Sequence, residues 1–492
     1  MRIIYFDIDT LRPDHLGCYG YHRNTSPNID KIAEEGSIFT NCYTSDAPCL
    51  PSRASLFTGR FGIHTGVVGH GGTAADMRLT GKERGFEDNY LKNNWIGILR
   101  KAKYYTVSIS PFAERHSAFW FCSGWNEMYN PGKTGLEIAD DILPYAKRWL
   151  EDNGKQDNWF LHLNLWDTHT PYRTPVSFEP SFENDPTPSW ITEDILKELR
   201  NRDVPGITNA LEDFDNVKLI NFFKIMHDIP KIENLDDFKS WINGYDVGIR
   251  YADNFVGIII KLVQNLGIYE DTLIIISSDH GENQGELQVF GDHATACHIV
   301  NRVPMIIKWP KKKWKNRYDS LLYATDIAAT IIEGVGKEVP KFWDGKSIYK
   351  EIEKGEEFGR KFLVISQNAW TCQRAVRFGN WTLIRTYHTG LIKYPEIMLY
   401  DFENDFHMTN NLAGERPEIV GKGLQLLDEW YTQMMKSSPF PKDPMWTVLE
   451  EGGPFHARER IITYLKRTKR SDREEIVNAI RKLEENEKLK LI

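Results

Sequence analysis

Three groups of residues carry side chains able to do chemistry together. The first is Cys49-Leu50-Pro51-Ser52-Arg53. Proline is favoured at the first helical position, because its missing N–H is not needed there and its φ is preset. Pro51 therefore predicts a helix, and Gly59 is placed to stop it. This puts Cys49 at a helix N-terminus, where unpaired N–H groups and the helix dipole favour negative charge. Arg53 follows within a turn and is able to face the same site. The other two groups are Asp9 and the pair Asp279-His280, each just after an apolar run. Carboxylates with an imidazole suit a divalent cation: oxygen ligation favours Ca²⁺, and His280 admits Mn²⁺ or Zn²⁺. Taken singly, each group has a plainer reading. Cys49 fits a buried cysteine at a loop–helix junction, and each Asp fits a helix cap or a turn.

The elements that must position these groups follow from the apolar pattern. Residues 2–8 form a short β-rich run and read as a central parallel strand. Residues 159–165 and 272–277 read the same way, the latter most clearly. In open α/β sheets, ligand residues lie at the carboxyl ends of such strands. That is where Asp9, Asp14, Asp167, Asp279 and His280 fall. Strands are also expected at 37–44, 105–109 and 304–309, with helices at 27–32, 91–102, 138–150, 238–266 and 325–332. Residues 173–235 are rich in Pro, Asp and Asn and read as an excursion over the active-site side. Composition shifts near 337–340. Beyond it lie strands at 362–366, 374–378 and 381–387, the segment 399–401, and a helix at 418–434. The expected architecture is α/β: a large, mixed, mostly parallel sheet flanked by helices over residues 1–345, and a smaller C-terminal α+β domain over 346–492. Residues 472–488 read as a charged surface helix.

Bulk properties narrow the class. The 492 residues are 41% hydrophobic and 26% charged, ordinary for a folded globular chain with a large core. A net charge of −8 argues against a nucleic-acid binder that relies on a global positive field. No apolar run reaches membrane-spanning length. The first residues reach Asp7 too soon to hold a signal-peptide core, and the six cysteines are scattered without a C-x-x-C. The expected location is therefore the cytoplasm.

The stretch Cys49-Leu50-Pro51-Ser52-Arg53-Ala54-Ser55-Leu56-Phe57-Thr58-Gly59-Arg60 resembles the signature of the type I sulfatases, in the alkaline phosphatase superfamily. In that family the cysteine is converted after translation to formylglycine, an aldehyde, by a formylglycine-generating maturation enzyme. The resemblance extends to Asp9-Thr10-Leu11-Arg12-Pro13-Asp14-His15-Leu16-Gly17-Cys18-Tyr19-Gly20, with Thr10 where many sulfatases have a second Asp. It implies a metal set of Asp9, Cys49, Asp279 and His280. Asp167-Thr168-His169-Thr170-Pro171 is similar to the segment whose His contacts the sulfate ester and protonates the leaving oxygen, which implies that role for His169. Sulfatases often carry a Lys nine residues before the Arg of an Arg-x-Pro strand start; here Arg302-Val303-Pro304 places His293 there. The family's Gly-Lys-Trp-His segment is absent. Glu114-Arg115-His116 is expected to supply its charge and its histidine, with Arg115 on the substrate and His116 at the nucleophile. His70 is a candidate substrate contact, equally readable as a loop histidine. Leu399-Tyr400-Asp401 with Asn411-Leu412-Ala413 resembles the family's C-terminal domain. Gly452-Gly453-Pro454-Phe455-His456 reads as a plain loop sooner than as a flap over the pocket.

The resemblance implies a sulfate-ester hydrolase acting on a small sulfated sugar or aryl sulfate. A diol oxygen of hydrated formylglycine attacks sulfur, His169 protonates the departing alcohol, and the metal, Arg53 and His293 offset charge on the sulfuryl oxygens. His116 is expected to take the proton of the second diol hydroxyl when sulfate leaves. Two alternatives stand beside it. One is a phosphonate monoester or phosphodiester hydrolase of the same superfamily, whose members share the Asp-His pair. The other, the weakest, is a binding homologue that lost catalysis.

Overall fold

The computed structural model describes residues 1–78, 93–186, 188–201, 232–312 and 314–458. The strands in chain order are β1 (Arg2–Ile8), β2 (Ser37–Tyr43), β3 (Asp46–Ala47), β4 (Tyr105–Ile109), β5 (Glu127–Tyr129), β6 (Trp159–Leu165), β7 (Thr272–Ser277), β8 (Asn283–Gln284), β9 (Phe290–Asp292), β10 (Arg302–Val303), β11 (Met305–Lys308) and β12 (Arg317–Tyr323), then β13 (Phe362–Gln367), β14 (Cys372–Phe378), β15 (Trp381–His388) and β16 (Ile397–Asp401). The helices that matter here are α1 (Pro27–Glu35), α2 (Cys49–Thr58), α3 (Ala139–Asn153), α4 (Leu235–Asn265), α5 (Ala324–Gly334) and α6 (Pro417–Ser437).

One nine-stranded sheet runs in the order β10-β2-β11-β7-β1-β6-β4-β5, with β12 beside β2. Strand β1 lies at its centre and pairs parallel with both β6 and β7. Every residue of these three strands is buried. That is why they read as unbroken apolar runs: a parallel strand covered on both faces has no solvent side to alternate toward. Strand β11 returns antiparallel beside β7, so the sheet is mixed but mostly parallel. The three central strands end together, which brings Asp9, Asp167 and Asp279 to one edge.

Helix α4 covers this edge. Its Tyr245 hydroxyl donates to the Thr10 carbonyl (2.7 Å) and accepts from the Arg12 N–H (2.9 Å). Gly248 on the same helix lets it approach the segment after β6, since a Cβ there would stand 2.8 Å from the Asp167 carbonyl oxygen.

A second sheet runs β16-β15-β14-β13-β3 and is antiparallel except at its last pair. Helix α6 packs on it through Leu426, Leu427 and Trp430. Its fifth strand comes from residues 46–47, far from the other four in sequence, so the chain passes from the second sheet straight into Cys49. Helix α2 starts at Cys49, two residues before the Pro51 start the sequence predicts, and ends at Gly59 with φ of 68°. The expected charged helix at 472–488, the start of the expected helix at 91–102 and residues 202–231 of the expected excursion lie outside the described residues.

Candidate active site

Helix α2 is buried along its whole length, and polar contacts fix its start. Ser52 Oγ donates to the Asp279 carbonyl (2.7 Å) and accepts from Thr44 Oγ1 (2.8 Å), locking the first turn to the end of β7. Arg53 has no exposure and is fully engaged. Its Nε and Nη2 fork onto Asp7 (2.7 and 3.0 Å), while Nη1 reaches Asp9 Oδ2 (3.0 Å) and Asp279 Oδ2 (2.6 Å). Its guanidinium also lies over the rings of Phe112 and Trp166. The side chain expected to face an anionic substrate thus spends its donors on three carboxylates, and its charge is felt in the site through them. Burial works against ionisation of Asp7, yet Arg53 and His162 hold its carboxyl down to about 2.

Cys49 Sγ sits 3.1 Å from His280 Nε2. Burial first, then the carboxylates of Asp9 and Asp279, push its thiol well above the ordinary range. Left as a thiol and with no cation beside it, Cys49 is therefore a neutral S–H and a poor nucleophile.

The donor set fits a divalent cation. Ligand atoms of Asp9, Cys49, Asp279 and His280 lie within 4.8 Å of one another, all on buried residues. Asp9 Oδ1 and Thr10 Oγ1 are buried beside them with no hydrogen-bond partner. Burial and the facing Asp279 push the Asp9 carboxyl well above its usual range, a cost that a cation relieves. His280 Nδ1 donates to the Gly281 carbonyl (2.8 Å), leaving the lone pair on Nε2, the nitrogen that faces the set. Thr10 occupies a left-handed conformation (φ 55°), strained for a β-branched residue. Its N–H donates to Asp279 Oδ1 (3.2 Å), which helps hold it there.

Above these residues opens a cavity of about 600 Å³ lined by Cys49, His70, Arg115, His116, His169 and His293, so every predicted non-metal residue except Arg53 faces one space. The His280 and His293 rings are 4.5 Å apart, His169 and His293 5.5 Å, and His70 and His116 5.0 Å. Burial first, then neighbouring imidazoles and guanidinia, hold His70, His116, His169 and His293 well below the usual histidine range. Burial thus favours the neutral form of His293, whereas the resemblance leads one to expect a cationic lysine at this place. His169 Nδ1 donates to the Thr170 carbonyl (2.6 Å), and its Nε2 lies 3.5 Å from Arg115 Nη2. Arg115 also donates to the Gly135 carbonyl (2.7 Å) and stacks over Trp166 (4.4 Å).

Several lining residues escape the sequence reading. The Gly452–His456 segment is a wall of the pocket and not a plain loop: Phe455 and His456 line the cavity together with Trp370. Its only sequence signal is the Gly-Gly-Pro turn that aims a Phe-His pair. Arg173 is buried behind the site, donating to the Trp166 carbonyl (3.4 Å); burial and Arg115 bring it down to about 9.

Comparison with known proteins identifies the family and the fold. The Sulfatase family model matches residues 2–336, and a model described as N-sulphoglucosamine sulphohydrolase, C-terminal, matches residues 286–426. An N-acetylglucosamine-6-O-sulfatase of Bacteroides thetaiotaomicron is 25% identical over 92% of this chain and 89% of its own. Among solved structures, a protein in complex with its substrate D-glucosamine-2-N,6-O-disulfate superposes with a TM-score of 0.67 at 20% identity, over 89% of this chain and 99% of its own. A phosphonate monoester hydrolase from Silicibacter pomeroyi gives 0.66 at 18% identity, over 89% and 96%. With the family model matching residues 2–336 of the 492, this chain belongs to the sulfatase family of the alkaline phosphatase superfamily.

Proposed function

We propose that this sulfatase hydrolyses a sulfate ester on a small sugar, with Cys49 in its formylglycine form and a divalent cation held by Asp9, Asp279, His280 and residue 49. The observation that carries it is the convergence of those four residues at the floor of a pocket lined by histidine and arginine. Hydrated formylglycine would supply a hydroxyl nucleophile, and a cation held by these residues would supply Lewis acidity. The chain's own residues do the rest. Arg53 holds Asp7, Asp9 and Asp279 in place. Arg115, His116 and His293 surround the position of the sulfuryl group. His169 already donates from Nδ1, so a second proton on Nε2 makes it a cation. Burial disfavours that state until an anionic group arrives, and the Nε2 proton is then the one given to the departing alcohol.

The sugar is supported by the names of the relatives and by a cavity of monosaccharide scale with an aromatic wall at Trp370. Oxygen donors favour Ca²⁺ as the cation, and His280 admits Mn²⁺ or Zn²⁺. A formylglycine-generating enzyme is the required partner. A cytoplasmic location belongs to the same reading and is supported by the spread of the six cysteines. Among the described residues no helix is long and apolar enough to cross a membrane.

The test is co-expression with a formylglycine-generating enzyme, loading with each cation in turn, and comparison of kcat/KM for glucosamine-6-sulfate, 4-nitrophenyl sulfate and an aryl phosphonate monoester. The sulfates are expected to win, and Cys49→Ala to abolish turnover while the fold survives. A preference for the phosphonate, or full activity in Cys49→Ala, overturns the reading.

A further inference from the structure

His456 reaches the pocket from the last described stretch of the chain, and its position is built. Its backbone N–H donates to the Ala369 carbonyl (3.0 Å). Glu451, five residues earlier, accepts from the Thr73 N–H (2.9 Å), and Arg458 closes back onto the Glu451 carbonyl (2.7 Å). The segment is thereby fastened to the loop that carries His70. Phe455 lies so close over Gly71 that a Cβ there would stand 2.2 Å from its ring.

The hydrogen bonds around His70 fix which nitrogen carries its proton. Leu50 lies in the first turn of α2, so its N–H has no partner within the helix. It donates instead to His70 Nε2 (3.4 Å). An amide only donates, so Nε2 is the acceptor and the proton of neutral His70 lies on Nδ1. That Nδ1 stands 2.8 Å from His456 Nε2, which must then be the acceptor. The order is Leu50 N–H to His70 Nε2, then His70 Nδ1–H to His456 Nε2. A protonated His70 would set its Nε2–H against the Leu50 N–H at the positive end of α2, which disfavours the cation.

We infer that His456 is a positioning residue for the reaction: it holds His70 in the Nδ1–H tautomer, so that a lone pair on Nε2 faces the residue next to the nucleophile. Resting on the formylglycine reading, this assigns His70 as the acceptor that closes the first turn of α2, fixing the backbone on which residue 49 stands. A donor toward the sulfate oxygens is not available from His70 in this tautomer.

The first test needs no activity. Full-length protein made without the maturation enzyme and labelled with ¹⁵N-histidine reports ring tautomers directly, with His70 and His456 identified by substitution. His70 is expected to carry its proton on Nδ1. The acceptor-only variant His456→Glu keeps that tautomer, and His456→Ala, left with only the longer Leu50 contact, is expected to mix in the Nε2–H form. The second test uses matured enzyme and 4-nitrophenyl sulfate: His456→Ala lowers kcat by roughly tenfold or more with KM changed far less, and His456→Glu restores most of kcat. A His70 protonated on Nε2 in the parent overturns the inference, as does a His456→Ala variant with unchanged tautomer and unchanged kcat. Because the tautomer is read on unmatured protein, its outcome is separate from whether the chain proves to be a sulfatase.

Discussion

Arg53 Nη1 lies 2.6 Å from Asp279 Oδ2, so helix α2, which starts at Cys49, is pinned by charge to the end of β7. Asp7 and Asp9 complete the cluster around the same guanidinium. Removing one partner of a buried ion pair leaves its carboxylates uncompensated. Arg53→Ala is therefore expected to cost roughly 3–5 kcal/mol in urea unfolding of the cation-free protein. Arg53→Lys is expected to rescue little, since one ammonium does not span three carboxylates. Saturating cation should recover part of the loss in Arg53→Ala, because it meets two of the same groups.

Thr10 stands where a third carboxylate would join Asp9 and Asp279 in the proposed cation set, and its buried Oγ1 has no partner. Asp tolerates the left-handed conformation of this position better than Thr does. Thr10→Asp is expected to tighten divalent cation binding on the order of tenfold, through added ligand charge. The same change should lower the melting temperature of cation-free protein by adding a buried negative charge. Calorimetric titration and thermal melts with and without cation read both arms; equal affinity for parent and variant would place Thr10 outside the set.

His169 is expected to show its role through the leaving group. An alkyl or sugar alcohol needs a proton as it departs, whereas 4-nitrophenolate does not. His169→Ala should lower kcat/KM for glucosamine-6-sulfate by about 10²–10⁴ and for 4-nitrophenyl sulfate far less. Equal losses on both substrates would point to sulfate binding instead.

Glu286 joins the two sheets' loops through Arg12 Nη2 (3.0 Å) and His407 Nδ1 (2.9 Å), with His407 stacked on Trp190. Burial resists its ionisation, yet Arg12 and His407 bring its carboxyl from 4.5 down to about 2. A depressed carboxyl binds its proton more weakly in the folded state. Its stabilisation is therefore complete above about 4.5 and fades as pH falls toward about 2. Urea unfolding between pH 5 and pH 3 should show a falling stability in the parent that is shallower in Glu286→Gln, although that variant starts lower.

Much of this was legible in the sequence, for a physical reason. Strands β1, β6 and β7 are covered on both faces, so each leaves an unbroken apolar run, and Asp9, Asp167, Asp279 and His280 could be placed from their ends, while His169 was found only through the family resemblance. What stayed hidden depends on contacts made across long stretches of chain. Strand β3 is two residues long and shows no period. The carboxylates that occupy Arg53 lie at the ends of two strands, β1 and β7, far apart in sequence. His456 meets His70 across 386 positions, so no local pattern announces it. Arg173 reads as one more arginine in a polar segment until the fold buries it.

Cys49 is only 1% exposed, and every residue of α2 around it is buried. A second enzyme must grasp several residues on either side of a side chain to oxidise it, and the folded protein offers none of them. On the formylglycine reading, the chain's history has a compulsory order: modification belongs to the nascent polypeptide, and folding then seals it. A molecule that folds with its thiol intact is committed to inactivity for the rest of its life, so the specific activity of any preparation reports the race between two events at the time of synthesis.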